Sequence, residues 1–204
     1  MSAPAKNYSF SSTWFVQAAA HWPQLFGKIG WDPKRPSVIV EIGSYEGRST
    51  CWILENLVGH PETRVYCIDT FEGSVEHGSG VQDLRGRFMS NIGLTGKAAQ
   101  VEVCVGRSDE MLIRLVAQGV QADFIYVDGS HQAADVLSDA VLAWKLLKPG
   151  GLLVFDDYLW PLYLDQPLMN PKVAIDAFVN CHLDQIKYVH VPQMSQFCLL
   201  KAKP

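Results

Sequence analysis

One stretch constrains the fold of this chain more than any other: residues 37–57, SVIVEIGSYEGRSTCWILENL. Val38, Ile39 and Val40 form a β-branched apolar run that closes with Glu41 and Ile42. Gly43 and Gly47 follow, and after Arg48 the apolar residues Ile53, Leu54, Leu57 and Val58 recur at helical spacing. Strand, glycine turn and helix, in that order, is the plan of a βα unit that cradles a nucleotide-like ligand. Gly47 falls where the helix begins, so the first free amides of that helix are presented there. Glu41 stands at the exit of an otherwise apolar strand, where a carboxylate is costly unless it finds a polar partner.

The same plan recurs down the chain. RVYCID, residues 64–69, reads as a second strand ending in an acid, followed by a polar glycine-rich loop (71–80) and a helix from about Val81 to Asn91. VEVCV, residues 101–105, is a third strand. Gly106 to Asp109 then turns into a helix with Met111, Leu112, Leu115 and Val116 on one face. DFIYVD, residues 123–128, is a fourth strand ending in an acid. A helix over 132–147 carries Val136, Leu137, Ala140, Val141, Trp144 and Leu147 on one stripe, and Lys148-Pro-Gly-Gly151 stops it. The fifth strand, 152–157, ends in Asp156 and Asp157. Five strands alternating with helices predict an α/β domain with a parallel sheet and right-handed crossovers. Beyond a proline-bearing loop (158–172), a helix is expected from Val173 to Cys181. Two last strands, 187–191 and 196–200, lie close enough to pair as an antiparallel hairpin.

Residues 1–36 precede the first strand and are rich in aromatics: Tyr8, Phe10, Trp14, Phe15, Trp22, Phe26 and Trp31. Ser11, Ser12 and Thr13 are candidate caps for a helix running to about His21, with Pro23 opening another. The segment reads as a helical extension packed on the core; the sharper alternative is a lid or a homodimer surface. At 204 residues with 48% hydrophobic and 19% charged content, the chain is sized for one globular domain. A net charge of −4 offers no footprint for nucleic acid or an anionic membrane. The absence of a long apolar run or a leader-like start makes a cytoplasmic location the expectation. Five cysteines without a CxxC read as reduced, buried thiols rather than a zinc site.

The chemistry gathers at strand ends. Glu41, Asp69, Asp128, Asp156 and Asp157 all fall at C-terminal ends of predicted strands, and in an open parallel sheet those ends line the rim where ligands bind. Any one of them has a duller explanation as a helix cap, but five like charges on one rim call for a cation or a polar ligand. Asp69, about 20 residues beyond the glycine turn, is positioned to accept the hydroxyls of a ribose. The turn reads E-x-G-x-x-x-G rather than G-x-G-x-x-G. That spacing disfavours a dinucleotide oxidoreductase and leaves room for a nucleoside bearing a carboxylate and an amine.

These residues resemble a known family. The chain is similar to class I S-adenosylmethionine-dependent methyltransferases, and among them to the small O-methyltransferases of the catechol type and of bacterial antibiotic and sugar pathways. The resemblance implies a Rossmann-like, doubly wound seven-stranded sheet of five parallel βα units and the C-terminal hairpin, over residues 37–204. VEIGSYEGRS resembles the first motif and implies contacts to the methionine part of S-adenosyl-L-methionine from Glu41, Gly43, Ser44, Tyr45, Gly47 and Ser49. CIDTFEG implies Asp69 on the ribose and Thr70 near the adenine, and VGRSDEML implies Ser108 beside the adenine. YVDGSH and VFDDY imply Asp128, Asp156 and Asp157 as ligands of a divalent cation, Mg²⁺ or another, with Asp128 also bordering the cofactor. Catechol-type enzymes often have asparagine where this chain has Asp157; three carboxylates suit a hard cation. Where they place a catalytic lysine, three residues after the first ligand, this chain has His131, and an ordinary imidazole titrates near ~6.5, well suited to take a hydroxyl proton. Its duller role is a loop histidine that caps the helix starting near Gln132 or contacts the cofactor. Phe71, Tyr158, Trp160 and Tyr163 are candidates to shape an acceptor pocket, with 158–172 as its lid. The implied partner is a small-molecule hydroxyl. The alternatives are a metal-independent methyltransferase acting on another nucleophile and a non-catalytic cofactor-binding scaffold.

Overall fold

The structure, a computed structural model, describes residues 6–73, 83–160 and 165–202. Among them seven strands form one sheet: β1 Val38–Ile42, β2 Arg64–Asp69, β3 Val101–Val105, β4 Ala122–Val127, β5 Leu147–Phe155, β6 Ile186–Tyr188 and β7 Phe197–Lys201. Their order is β3-β2-β1-β4-β5-β7-β6. The first five strands are parallel, and β7 runs antiparallel to both β5 and β6. The expected parallel sheet with an antiparallel hairpin is therefore present, with β7 inserted between β5 and β6.

Helices cover both faces: α1 Phe15–Ile29, α2 Arg48–Asn56 and α3 Leu84–Leu94 on one, and α4 Ser108–Ala117, α5 Ala133–Leu146 and α6 Pro171–Asn180 on the other. A strand sends alternate side chains to opposite faces. Ile39 accordingly joins the α1–α3 side, while Val40 and Ile42 join the α4–α6 side. Strands covered on both faces are mostly apolar, as β1 and β4 are; β3, at the edge of the sheet, is partly exposed and carries Glu102.

Three of the N-terminal aromatics, Phe15, Trp22 and Phe26, are core residues, and Tyr8, Phe10 and Trp31 pack against that core while partly exposed. Trp22 is fully buried among Phe15, Phe26, Trp52, Phe124 and Tyr126, with ring centroids 4.8–5.7 Å from it. One helix runs through Pro23, where two had been expected. A proline removes one helical hydrogen bond, and the burial of Trp22, Leu25 and Phe26 around it offsets that loss. The expected Ser11–Thr13 cap does not form: Trp14 is the capping position and no side chain caps it. Trp14 itself is 63% exposed.

Other expectations shift. On α5, Val136, Ala140 and Trp144 are buried, but Leu137 and Val141 are exposed because Ala143 and Asp139 take the inner positions. Lys148 to Gly151 lies inside β5, across a register irregularity, rather than before it. The helix expected at 81–91 is α3, three residues later; the 71–80 loop and Tyr163 lie largely or wholly outside the described residues. The thiols are not uniformly buried: Cys51, Cys67 and Cys198 are, Cys104 is half-buried on an outer strand, and Cys181 is exposed. Among the described residues no helix is long and apolar enough to cross a membrane.

Candidate active site

The turn after β1 is shaped by two left-handed glycines. Gly43 (φ +85°) presses so closely on the end of β4 that a Cβ there would sit 2.0 Å from the Asp128 carbonyl oxygen. Gly47 (φ +81°) opens α2, and a Cβ there would lie 2.9 Å from the Phe88 ring. No side chain caps α2, so its first-turn amides and the positive end of its dipole are available to an anionic group.

Glu41 lies beneath this turn, fully buried, not on the open rim as expected. Its Oε2 accepts from the Ser44 hydroxyl at 2.8 Å and, more closely, from Thr50. Its Oε1 is buried without a partner among the described residues. Burial pushes its pKa up, against the hydroxyls that lower it. Ser49, at the start of α2, is buried nearby.

Asp69 faces the turn from the end of β2. Its Oδ2 accepts from the Ser44 and Tyr45 amides, both at 2.7 Å, and its Oδ1 from the Phe71 amide at 2.7 Å. A carboxylate has about four acceptor positions, so room is left for one further donor. Tyr45 (φ +48°) and Phe71 (φ +56°) flank it in left-handed conformations uncommon for such residues. Tyr45 packs against Trp14, at 5.7 Å between ring centroids, and its hydroxyl is 3.3 Å from Ser11 Oγ. Thr70 Oγ1 accepts from the Glu72 amide. Ser108, at the first position of α4, lies at the same strand-end rim, since Gly106 N donates to the Asp69 carbonyl.

Across the Gly43 contact stand the other acids. Asp128 follows β4, Asp156 and Asp157 follow β5, and His131 precedes α5; all four line one small pocket with Gly129 and Ser130. Ligand atoms of Asp128, His131 and Asp157 lie within 4.8 Å of one another. This set differs from the expected trio. Asp156 is occupied otherwise: its Oδ1 accepts from the Asp157 amide at 2.9 Å and its Oδ2 from the Tyr126 hydroxyl. His131 Nε2 is 2.7 Å from Asp157 Oδ2, and Asp157 reaches it through a left-handed turn (φ +55°). Burial, then the charges of Asp156 and Asp157, push Asp128 well above the usual carboxylate range. Burial and Asp157 push Asp156 up as well. Such a cluster favours a bound cation, which relieves the repulsion.

Of the expected pocket aromatics, Trp160 stacks on His131 with centroids 4.0 Å apart. Tyr158 instead packs on Phe197 and bonds Asp176, and Phe71 packs on Phe88. Two buried polar residues near the site were not anticipated. Tyr126 donates to Asp128 Oδ2 at 3.0 Å as well as to Asp156. Its signal was a tyrosine inside a strand covered on both faces, whose hydroxyl needs a partner. Asp139 on α5 is 1% exposed, no well-formed hydrogen bond reaches its two oxygens among the described residues, and burial, only partly offset by the nearby Ser108 hydroxyl, pushes its pKa up to about 7.

Comparison with known proteins agrees with this architecture. No curated protein sequence matches the chain. Among solved structures it is similar to the O-methyltransferase TomG from Streptomyces achromogenes, involved in tomaymycin synthesis and solved with SAM. The TM-score is 0.67 at 18% identity, covering 97% of this chain and 92% of that one. It is also similar to an O-methyltransferase from Bacillus cereus solved with SAH (0.65, 22%, covering 98% and 84%). A third is the MycE methyltransferase of the mycinamycin pathway, solved with Mg and SAH (0.57, 16%, covering 89% and 49%). These likenesses establish the fold. A family model described as a methyltransferase domain matches residues 40–158, more than half of the chain and the whole span from the glycine turn to the paired aspartates. The chain belongs to that methyltransferase family.

Proposed function

We propose that the protein methylates a hydroxyl of a small molecule, with S-adenosylmethionine as donor and a divalent cation held at the acids. The observation that carries this reading is the Gly43–Asp128 backbone contact. It joins an uncapped helix start and Asp69 on one side to the aspartate–histidine pocket on the other. The TomG and B. cereus structures, solved with SAM and SAH, and MycE, solved with Mg and SAH, support it by likeness.

The residues fit both groups. The first amides of α2 suit the carboxylate of the methionine moiety, and Asp69 retains acceptor capacity for a ribose hydroxyl. Gly43, Ser44, Tyr45, Gly47 and Ser49 line that side, with Thr70 and Ser108 toward the base. Glu41 acts from below by holding Ser44 and Thr50. The sulfonium carries its own reactive methyl, so the protein's task is alignment and exclusion of water. Asp128 and Asp157 supply oxygen donors that a hard cation requires, and Asp156 beside them, although each of its oxygens already accepts one hydrogen bond, keeps a further lone pair on each. Bound there, the cation would make an alcohol or phenol more acidic. His131, held by Asp157 and stacked on Trp160, is oriented to accept the hydroxyl proton at a ring nitrogen.

The His131–Asp157 pair also favours a second reading, a metal-independent methyltransferase in which Asp157 only orients the base. Methyl transfer measured after exhaustive EDTA treatment separates the two: full activity removes the cation. Calorimetry with S-adenosylhomocysteine tests the donor. Heat is expected at micromolar to millimolar concentration, and none would overturn the reading. The expected acceptor is a small alcohol or phenol, the net charge of −4 disfavours nucleic acid as the substrate, and self-association through exposed Trp14 is the proposed route to a dimer.

A further inference from the structure

Three residues outside the proposed reaction form a buried polar line to its acids. Strand parity gathers them. Tyr126 and Asp128 are two apart on β4, and Tyr126 is in register with Val154, two before Asp156. Val154 is in register with Cys198 on antiparallel β7, so Gln196, two before Cys198, comes level with Asp156. All four point to the face that α1 covers, and Trp22 reaches them from above. Trp22 Nε1 donates to Gln196 Oε1 at 2.6 Å, and Gln196 Nε2 donates to the Tyr126 oxygen at 3.1 Å while the same amide lies near enough to Asp156 to favour its charged form. The Tyr126 hydroxyl donates to Asp128 at 3.0 Å and to Asp156. Trp22 and Tyr126 are fully buried and Gln196 is 8% exposed.

The direction of every bond follows from its far end. An indole N–H can only donate. Gln196 must therefore turn its oxygen to Trp22 and its NH₂ to Tyr126. The Tyr126 oxygen then accepts, and its single hydrogen is left for the aspartates. We infer that Trp22 and Gln196 are positioning residues for methyl transfer: they fix the Tyr126 hydroxyl as a standing donor to Asp128 and Asp156, which holds both carboxylates with their remaining lone pairs toward the cation. This rests on the metal-assisted reading. Hydrogen-bond partners of metal ligands typically change metal affinity by about 10–100-fold.

Two substitutions at one position separate polarity from packing. In Gln196→Glu the carboxylate accepts from both neighbours and draws the tyrosine hydrogen away from the aspartates. In Gln196→Met that hydrogen stays with them. Mn²⁺ affinity is read by electron paramagnetic resonance without cofactor. The carboxyl ¹³C shifts of Asp128 and Asp156 are read by NMR at fixed pH without metal. Gln196→Glu and Tyr126→Phe are expected to weaken Mn²⁺ binding about 10-fold or more and to move both carboxyl signals, while Gln196→Met stays within about 3-fold of wild type. The added negative charge alone would tighten cation binding, so a weakening has to come from the lost tyrosine hydrogen. Should Gln196→Glu not fold, Trp22→Phe carries the same expectation, because it frees the amide to turn over. Unchanged affinity in Gln196→Glu, or equal loss in Gln196→Met, overturns the inference and leaves the metal reading intact. A wild type that binds no Mn²⁺ overturns the metal reading. The carboxyl shifts then decide the positioning role alone, and unmoved signals in Gln196→Glu overturn it.

Discussion

Gly43 is the residue on which the two halves of the site meet. Gly43→Ala would combine a positive φ with a Cβ inside the Asp128 carbonyl. A loss of at least ~2 kcal/mol in chemical denaturation is expected. Gly27→Ala in α1, where nothing lies within 4 Å, is expected to stabilise by about 0.5–1 kcal/mol. Asp139 gives a pH test. Its folded pKa, about 7, stands above its ordinary 3.8. Between those values the folded chain binds more protons than the unfolded one, so stability falls as pH rises, by up to about 4 kcal/mol through pH 7. Asp139→Asn is expected to flatten the fall in unfolding free energy between pH 5 and pH 8. At this scale the sequence was partly legible. Glu41 demanded a polar partner and found Ser44 and Thr50. Asp139 was invisible, because a search for apolar periodicity passes over an acid on the inner face of a helix.

Elements were legible where pattern and burial coincide, as in β1, β4 and α4. They were less so where tertiary contacts override local rules. Ser11 is not a cap because Glu46, itself buried, takes both its amide (2.6 Å) and its hydroxyl (2.7 Å). Asn91 on α3 holds the same segment: it accepts from Ser9 N and donates to Ser9 O and Glu46 O, at 2.8–2.9 Å. Residues 8–11 are thus strapped across the start of α2. Asn91→Ala would strand these backbone groups. A loss of about 2–3 kcal/mol is expected, with faster amide hydrogen exchange and proteolysis confined to residues 6–13.

For the whole molecule, a site of crowded acids sets stability against function. Burial and mutual repulsion raise Asp128 and Asp156, so Asp156→Asn should melt higher than wild type in EDTA. Millimolar Mg²⁺ should raise the wild-type Tm, since a ligand of the folded state stabilises it in proportion to RT ln(1 + [L]/Kd), and leave the variant's unchanged. A scan in both buffers checks this. The rim of acids and the parallel order followed from βα repetition, whereas the partners of those acids did not. Trp22 and Gln196 are 174 residues apart, and no local pattern joins them. That separation has a consequence for synthesis. At roughly 5–20 residues per second, α1 leaves the ribosome roughly 10–35 s before the glutamine that receives its tryptophan. During that interval a cluster of large aromatic rings waits without its last strand. A nascent chain paused near residue 190 would hold the five parallel strands but not β7, which joins β6 to them, and the hydroxyl beneath its acids would still lack the neighbour that aims it.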